Sequence, residues 1–254
     1  MLQEVFKETL PAPNEHISFD EGMGRFFGRA PGMKKHMPDK PIHEGFKFFV
    51  AVDYLTGACF QINLDDDIVS CKSCEHMEWG ATGQYILELL CDLPGRGYKG
   101  YVDNFYSSPA LFYEAKIKYH VYLIGTLRTD RGVHPEVVIG ASKPTTDIPK
   151  GTCKFSYSSN QMLHLCGIMD SKVSYILDAA YGSMQLTALR RRNKDGSYLT
   201  YRAPHALYMY NKYMGGVGIW SERDGMAWKC EEDVVDGRSD SMRYYFPWHA
   251  LTLT

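Results

Sequence analysis

The sequence has no excess of basic residues. Its 254 residues include 28 lysines and arginines and 30 aspartates and glutamates, which gives a formal net charge of −2 and a pI of about 6.5. Domains that bind nucleic acid usually carry a clear positive excess, so the overall charge does not indicate such a partner. Any contact with nucleic acid must therefore rest on local basic patches.

Long apolar runs and nucleotide-binding loops are also missing. No stretch approaches the roughly 18 consecutive apolar residues of a membrane-spanning helix. The opening MLQEVFKETL carries two glutamates and lacks the apolar centre of a secretory signal. Neither a P-loop nor a nucleophile elbow occurs. We therefore expect no membrane partner and no nucleotide cofactor.

The seven cysteines do not form a regular disulfide framework, because their number is odd and the chain is long. Cys71 and Cys74 have the spacing of half a zinc site, but no second pair with matching spacing follows them, so zinc is the less favoured interpretation. Reduced thiols are typical of cytoplasmic and nuclear proteins, and we expect one of these two locations.

The patterns that are present predict alternating strands and helices, which is a mixed α/β layer architecture. Aromatic and β-branched runs over 45–64, separated by a turn, predict a strand pair. Helical spacing over 82–93 predicts a helix, and 97–103 reads as a short buried strand. A second helix is predicted to begin at Ser108, a typical capping residue, and a further strand follows over 119–128.

From about residue 129 the pattern changes. Residues 129–203 are rich in turn residues and short β-like runs, and they show no helical period. We interpret them as a β-rich insertion that lies outside the core sheet. The chain is thus predicted to have three parts: 1–128 as the first part of the core, 129–203 as the insertion, and 204–254 as the final helical part of the core.

Asp53 and Asp103 are the candidate catalytic carboxylates, since each lies at the end of a predicted strand. If those strands are adjacent in one sheet, the carboxylates lie side by side and repel each other unless they hold a cation. With Mg²⁺ or Mn²⁺ such a pair becomes a phosphoryl-transfer site. The residues alone leave a second interpretation open, in which Asp53 starts a turn and Asp103 caps the following helix.

Several stretches together resemble the catalytic domain of the piggyBac transposase family. The family's opening pattern matches, in order, Asp20-Glu21, Gly28-Arg29, Pro38-Asp39-Lys40-Pro41, and Gly45-Phe46-Lys47 at the start of a strand that ends at Asp53. The stretch VDNFYSSPAL looks like the second catalytic motif and places its aspartate at Asp103. The segments IGTLR, PKGT, DSKVSYILDA and YNKYMGGV continue the pattern in register.

The resemblance implies an RNase H-like core, interrupted by the β-rich insertion, that carries the chemistry of a DDE transposase. That chemistry is hydrolytic nicking of DNA followed by attack of a 3′ hydroxyl on a phosphodiester. The resemblance further implies that Asp53 and Asp103 are catalytic and bind Mg²⁺ (or Mn²⁺). It implies double-stranded DNA at transposon ends as the partner, a homodimer, and a location in the nucleus.

One position departs from the family pattern. The family's third catalytic aspartate follows Gly-Gly-Val, and here that position is Gly218. Glu222 and Asp224 lie nearby as substitute ligands, although each would have to reach a metal with strict octahedral geometry from a displaced backbone. We therefore expect a catalytically degenerate transposase core. The alternative is a domesticated DNA-binding or chromatin-interaction protein without nuclease activity.

The predicted DNA contacts are isolated basic positions rather than a basic domain. They are Arg29, Lys40, Arg128, Arg190, Arg191 and Arg192. The last three form a basic run, which is either a solvated hairpin or a phosphate-contacting patch.

Overall fold

A computed structural model describes residues 12–26, 32–38, 40, 42–65, 80–91, 93, 97–182, 185–192 and 195–223. The strands are β1 (His16–Arg25), β2 (Lys35–His36), β3 (Glu44–Asp53), β4 (Cys59–Leu64), β5 (Lys99–Val102), β6 (Tyr122–Thr126), β7 (Cys153–Tyr157), β8 (His164–Met169), β9 (Val173–Asp178), β10 (Leu186–Arg192) and β11 (Tyr198–Pro204). The helices are α1 (Gly80–Cys91), α2 (Pro109–Lys118), α3 (His205–Tyr213) and α4 (Gly216–Arg223), with a short 3₁₀ turn at Pro135–Val137.

Nine of the strands form one mixed sheet. Its order is β2-β3-β1-β5-β6-β9-β8-β7, and β4 also pairs with β3. Strand β1 is antiparallel to β3 and parallel to β5, and β5 is parallel to β6. Strands β10 and β11 form a separate two-stranded ribbon. The predicted mixed α/β architecture is confirmed.

Helices cover both faces of this sheet. On one face, α1 and α2 bury Ile86 and Leu111 in a cluster with Phe19 and Phe49. On the other face, α3, α4 and the ribbon pack against the sheet, and Trp220 joins a cluster with residues of β3. Because both faces are covered, β3 is apolar and buried almost throughout, unlike a strand with one face in water.

The predicted helix starting at Ser108 is α2. The Ser108 hydroxyl accepts a hydrogen bond from the Leu111 N–H at 3.2 Å, and Pro109 occupies the first turn. These contacts satisfy one of the free N–H groups of the helix and pre-set its backbone. The helix thus begins directly after the loop that carries Asp103, so the loop is held at both ends.

The region 129–203 is rich in strands, as expected, but its predicted location outside the core sheet is wrong for three of them. Strand β9 pairs antiparallel with β6, and β8 and β7 follow it, so these strands extend the central sheet. The physical reason is that β6 would otherwise be an edge strand with unpaired backbone groups. The β10–β11 ribbon alone forms a second sheet.

Four cysteines lie in the described part of the chain, and all four are free thiols: Cys59, Cys91, Cys153 and Cys166. Cys71 and Cys74 lie outside the described residues. None of the helices in the described ranges is long and apolar enough to cross a membrane.

Candidate functional site

Asp53 is a turn residue. Its side chain is fully buried, and its carboxylate accepts hydrogen bonds from the Asn14 N–H at 2.5 Å and the Asn14 side-chain amide at 2.9 Å. It also accepts the N–H groups of Leu55 and Thr56 at 2.7 and 3.0 Å. Four donors therefore converge on this carboxylate, and they hold the connection between β3 and β4.

The prediction that Asp53 and Asp103 end adjacent strands is wrong, because β1 lies between β3 and β5. Asp53 is opposite Ile17 on β1, whereas the end of β5 reaches Phe19. Two strand spacings across the sheet and three residues along it separate the two aspartates by roughly 14 Å. Such a pair cannot share one metal ion.

Strand β1 instead brings Asp20 to Asp103. The last paired residues of β1 and β5 are Phe19 and Val102, which both point into the cluster under α1 and α2. Asp20 follows Phe19 and Asp103 follows Val102. Successive side chains along a strand point to alternate faces of the sheet. Both carboxylates therefore lie on the opposite face, under α3 and α4, one strand spacing apart.

Burial changes the protonation of both carboxyl groups. It raises the pKa of Asp20 to about 6, against the opposing effect of the Glu21 N–H, which donates to Asp20 Oδ1 at 2.8 Å. Burial also raises the pKa of Asp103, and the nearby negative charge of Glu21 adds to that rise. Burial thus disfavours the ionised form of both carboxyl groups, and a cation held between them would favour it again.

Tyr210 on α3 is a third group at this location. Its hydroxyl is hydrogen-bonded to Thr126, and burial raises its pKa to about 12. The charges of Asp103 and Asp20 both contribute to this rise, so the hydroxyl lies within electrostatic reach of the two carboxylates. Tyr210 therefore lies near the acidic pair, on the side of α3.

Glu21, the other half of the Asp-Glu motif, points to the opposite face. Lys47 Nζ lies 3.6 Å from Glu21 Oε1 and 3.7 Å from Asp65 Oδ2, and it also lies 4.7 Å from the centre of the Phe49 ring. All three charged side chains are largely buried. Lys47 thus neutralises the acids on this face, whereas the positive charges near Asp20 and Asp103 are those of Lys40 and Arg128, which affect the two pKa values less than burial does.

Helix α4 crosses the face of β1 that carries Asp20. A Cβ built on Gly216 would lie 2.5 Å from Ser18 Oγ, and one built on Gly22 would lie 2.8 Å from the Trp220 ring. The helix therefore runs along β1 from Ser18 to Gly22, with Asp20 between them. Only glycine allows these two close approaches.

Gly218 lies midway along this crossing and is exposed. A Cβ built on it would meet no atom within 4 Å, so the position has room for a side chain but contributes no ligand. Glu222 is one helical turn further along α4 and therefore on the same side of the helix, although its side chain lies outside what is described. Asp224 lies outside the described residues.

The donor set fits one divalent ion better than two. Mg²⁺ is commonly held by one or two carboxylates, with water and substrate phosphates completing its octahedron. Asp20 and Asp103 supply two carboxylates on one face. Within the described ranges no group of three or more His, Cys, Asp or Glu side chains converges as a metal site. A three-carboxylate, two-metal arrangement is therefore not assembled by these residues.

Two of the predicted DNA-contacting residues lie beside the acidic pair. The charge of Lys40 lowers the pKa of Asp20, and the charge of Arg128 lowers the pKa of Asp103, each as a smaller effect than burial. Arg190 and Arg192 are exposed on the separate β10–β11 ribbon, whereas Arg191 turns inward and lies 3.3 Å from Asp170. Arg29 lies outside the described residues.

Sequence reasoning identified Asp103 but missed Asp20 as its neighbour. The signal was present, since Asp20 is a charged residue inside the predicted strand HISFDEGM, and a strand interior normally excludes an unpaired acid. Asp53 was instead predicted as the partner of Asp103 because it lies at the end of a predicted strand. The strand order, which separates Asp53 from Asp103, cannot be read from the local patterns.

Comparisons with known proteins identify the family of this chain. Residues 2–237 match the family model described as Transposase IS4, a DDE transposase domain. The chain is 27% identical over 210 residues to the human PiggyBac transposable element-derived protein 3, covering 81% of this chain and 34% of that protein. The same identity over 210 residues relates it to the human chimeric ERCC6-PGBD3 protein, of which it covers 19%.

A solved structure shares the fold. It is the cryo-EM structure of a piggyBac transposase synaptic complex with hairpin DNA, with a TM-score of 0.65 at 21% identity. The match covers 85% of this chain and 41% of that one. The chain thus spans about a third of the length of the first curated relative and less than half of the solved chain. The predicted resemblance to piggyBac transposases is confirmed.

Proposed function

The chain belongs to the Transposase IS4 family of DDE transposases, and from this premise we propose that it is a piggyBac-type catalytic core reduced to two acidic ligands. Those ligands are Asp20 and Asp103. The observation that carries the proposal is the register of β1 and β5. The last residues that pair are Phe19 of β1 and Val102 of β5, and the next residue after each of them is an aspartate on the same face.

The core itself is proposed to be RNase H-like. Strands β4, β3, β1, β5 and β6 are neighbours in that order, with β1 antiparallel to β3 and parallel to β5. In this assignment Asp20 takes the role that the sequence had suggested for Asp53. Asp53 is then a structural residue that holds the β3–β4 connection.

Asp20 and Asp103 would hold the divalent ion, Mg²⁺ or Mn²⁺. When bound, such an ion would polarise a phosphodiester and activate water. Asp20 and Asp103 would fix its position on the sheet, and the partly buried Tyr210 would limit access of water from the α3 side. Gly218 provides no third carboxylate, so we expect DNA nicking to be absent or severely impaired in this chain.

The proposed partner is double-stranded DNA. The related piggyBac transposase was solved in a complex with hairpin DNA, and this chain carries Lys40 and Arg128 beside the acidic pair. Both could contact the backbone of a duplex held over Asp20 and Asp103. A location in the nucleus and a homodimer are proposed with this partner.

Calorimetry with Mn²⁺ tests the acidic pair directly. Asp20→Asn and Asp103→Asn should each weaken Mn²⁺ binding at pH 7.5 by at least about tenfold, because the described residues supply two charged ligands to the proposed site. Asp53→Asn is the matched control, since it changes a buried aspartate to the same residue. If Asp53→Asn abolishes binding in a protein that remains folded, while Asp20→Asn does not, the assignment is wrong.

A second candidate function is DNA binding without catalysis, as expected of a domesticated transposase. The glycine at position 218 favours it, because the loss is a deletion of a ligand rather than a conservative change. A plasmid-nicking assay separates the two functions. Nicking by the unmodified chain that is lost in Asp103→Asn would support residual catalysis, and duplex binding without nicking would support the second function.

A further inference from the structure

The β10–β11 ribbon has two chemically different faces. Its register pairs Ala188 with Arg202, Arg190 with Thr200, and Arg192 with Tyr198. These six residues share one face, because paired residues in an antiparallel ribbon point the same way and alternate residues share a face. All six are exposed. We call this the arginine face, after Arg190, Arg192 and Arg202.

The inner face holds the ribbon on the protein. Leu189, Tyr201 and Ala203 are buried in the cluster that α3 forms with the central sheet. Arg191 belongs to this face, and its Nε lies 3.3 Å from Asp170 Oδ2. The basic run Arg190–Arg192 is therefore not one patch, since its middle member is used within the protein.

The three outward arginines keep their charge free. None of them has a carboxylate partner among the described residues. Arg190 lies over the Tyr198 ring at 3.8 Å, which orders the guanidinium while leaving its N–H donors available. Each of the three successive rungs of the ribbon carries one arginine, so the charges follow one another about 7 Å apart along the face.

We propose that the arginine face is a binding surface for the phosphate backbone of duplex DNA. Duplex DNA carries about one negative charge per 1.7 Å of its axis, so a row of three arginines spanning about 14 Å always finds phosphates within reach. A two-stranded ribbon is also narrow enough to enter or follow the major groove, which is about 12 Å wide. Because the contacts are to phosphates, the binding is independent of DNA sequence.

The surface is separate from the acidic pair, and it deepens the proposed DNA partner without depending on the metal. The arginine face lies on the ribbon, outside the central sheet, whereas Asp20 and Asp103 lie on β1 and directly after β5. One duplex contacting both would be positioned by the ribbon and acted on at the sheet. Loss of one function should therefore leave the other measurable.

Fluorescence anisotropy with a labelled duplex of about 25 base pairs, measured over a series of salt concentrations, tests the proposal. Each phosphate contact contributes about 0.9 to the slope of log affinity against log salt. Arg190→Gln, Arg192→Gln and Arg202→Gln should each lower the slope by about that amount, and the triple variant by nearly three times as much. The triple lysine variant keeps the charge and should keep most of the slope.

Two controls make the result specific. Lys118→Gln removes an exposed positive charge from α2, on the opposite face of the sheet, and should leave the slope unchanged. The triple glutamine variant should keep the Mn²⁺ binding of the unmodified chain, measured by calorimetry, while it loses the duplex slope, so a failure of the acidic-site proposal is distinguishable from a failure of this one. A thermal melt of each variant verifies that it is folded.

The proposal is overturned if the folded triple glutamine variant binds duplex with the slope of the unmodified chain. It is equally overturned if the unmodified chain does not bind any duplex at low salt, in which case an acidic protein surface becomes the better partner for the same arginines. A slope that falls in the triple glutamine variant and not in Lys118→Gln supports it.

Discussion

The buried carboxylate of Asp53 accepts the backbone N–H of Asn14 at 2.5 Å, and this contact ties the segment before β1 to the end of β3. The partners are 39 residues apart in the chain. The carboxylate also accepts three further N–H donors, so an asparagine in its place would direct an N–H group at other N–H groups. These contacts give Asp53 a structural role at the β3–β4 connection.

Asp53→Asn should lower the free energy of unfolding by about 3 kcal/mol, because buried donors lose a charged acceptor. Urea unfolding followed by circular dichroism measures it. Asp130→Asn is the matched control at an exposed aspartate and should change stability by less than about 0.5 kcal/mol. Equal stability of the two variants would contradict the structural role of Asp53.

The pH dependence of stability should show the raised pKa of Asp20. Burial raises this pKa from 3.8 to about 6, so between these values the folded state holds a proton that the unfolded state has released. The folded state then binds more protons than the unfolded state, and stability falls as the pH rises through this window. An asparagine at position 20 does not titrate, so the stability of Asp20→Asn should not fall in this window. The free energy of unfolding of Asp20→Asn, relative to that of the unmodified chain, should therefore be higher at pH 7 than at pH 4.

Urea unfolding of both proteins at pH 4, 5, 6 and 7 measures the difference, and Asp130→Asn again serves as the control. A constant difference between Asp20→Asn and the unmodified chain across this range would show that Asp20 does not titrate there. Added Mn²⁺ should restore stability at pH 7 in the unmodified chain and not in Asp20→Asn, because a ligand that binds only the folded state stabilises it.

Local patterns were sufficient for much of this fold and insufficient for its centre. The strand pair over 45–64, the helix after Ser108 and the strand ending at Asp103 follow from side-chain period and capping residues, which act over a few neighbouring positions. The order of strands depends on long-range pairing. In the observed order, β1 lies between β3 and β5, and β9 pairs with β6.

The same limit explains the wrong partner for Asp103. Strand-end position is a weak guide, because turns and catalytic loops both use aspartate there. The face on which a carboxylate points is decided by register, and a shift of one residue exchanges the faces. Asp20 became recognisable only when Phe19 was seen opposite Val102.

Lys47 should be the most sensitive single position behind the acidic pair. Lys47→Gln leaves Glu21 and Asp65 near each other in a largely buried setting without their shared cation, and the expected loss is about 3 kcal/mol. Glu21→Gln in the same protein should recover part of it. A double-mutant cycle between Lys47 and Glu21, measured by urea unfolding, gives the coupling.

The more exposed pair of Lys118 and Glu114 is the matched control for that cycle. Its atoms lie 3.7 Å apart at helical spacing on α2, and its coupling should not exceed about 0.5 kcal/mol. A coupling between Lys47 and Glu21 as small as that of the surface pair would mean that solvent screens the buried network.

Gly218→Asp should tighten Mn²⁺ binding by at most about tenfold, because it adds a third carboxylate to α4 but from the side of the helix opposite Gly216 and Trp220, which face β1. The side chain has room, since no atom lies within 4 Å of a Cβ at this position. A negative charge is also favourable in the first turn of α4. Gly218→Asn separates ligand charge from these helix effects, because it has the same shape and should stabilise α4 without tightening Mn²⁺ binding. Calorimetry measures both variants, and a plasmid-nicking assay with Mn²⁺ shows whether the added carboxylate restores activity.

If Glu222 already completes the site, the unmodified chain nicks DNA, Glu222→Gln abolishes the nicking, and Gly218→Asp adds nothing. That result would overturn the view that position 218 is where the catalytic site was lost.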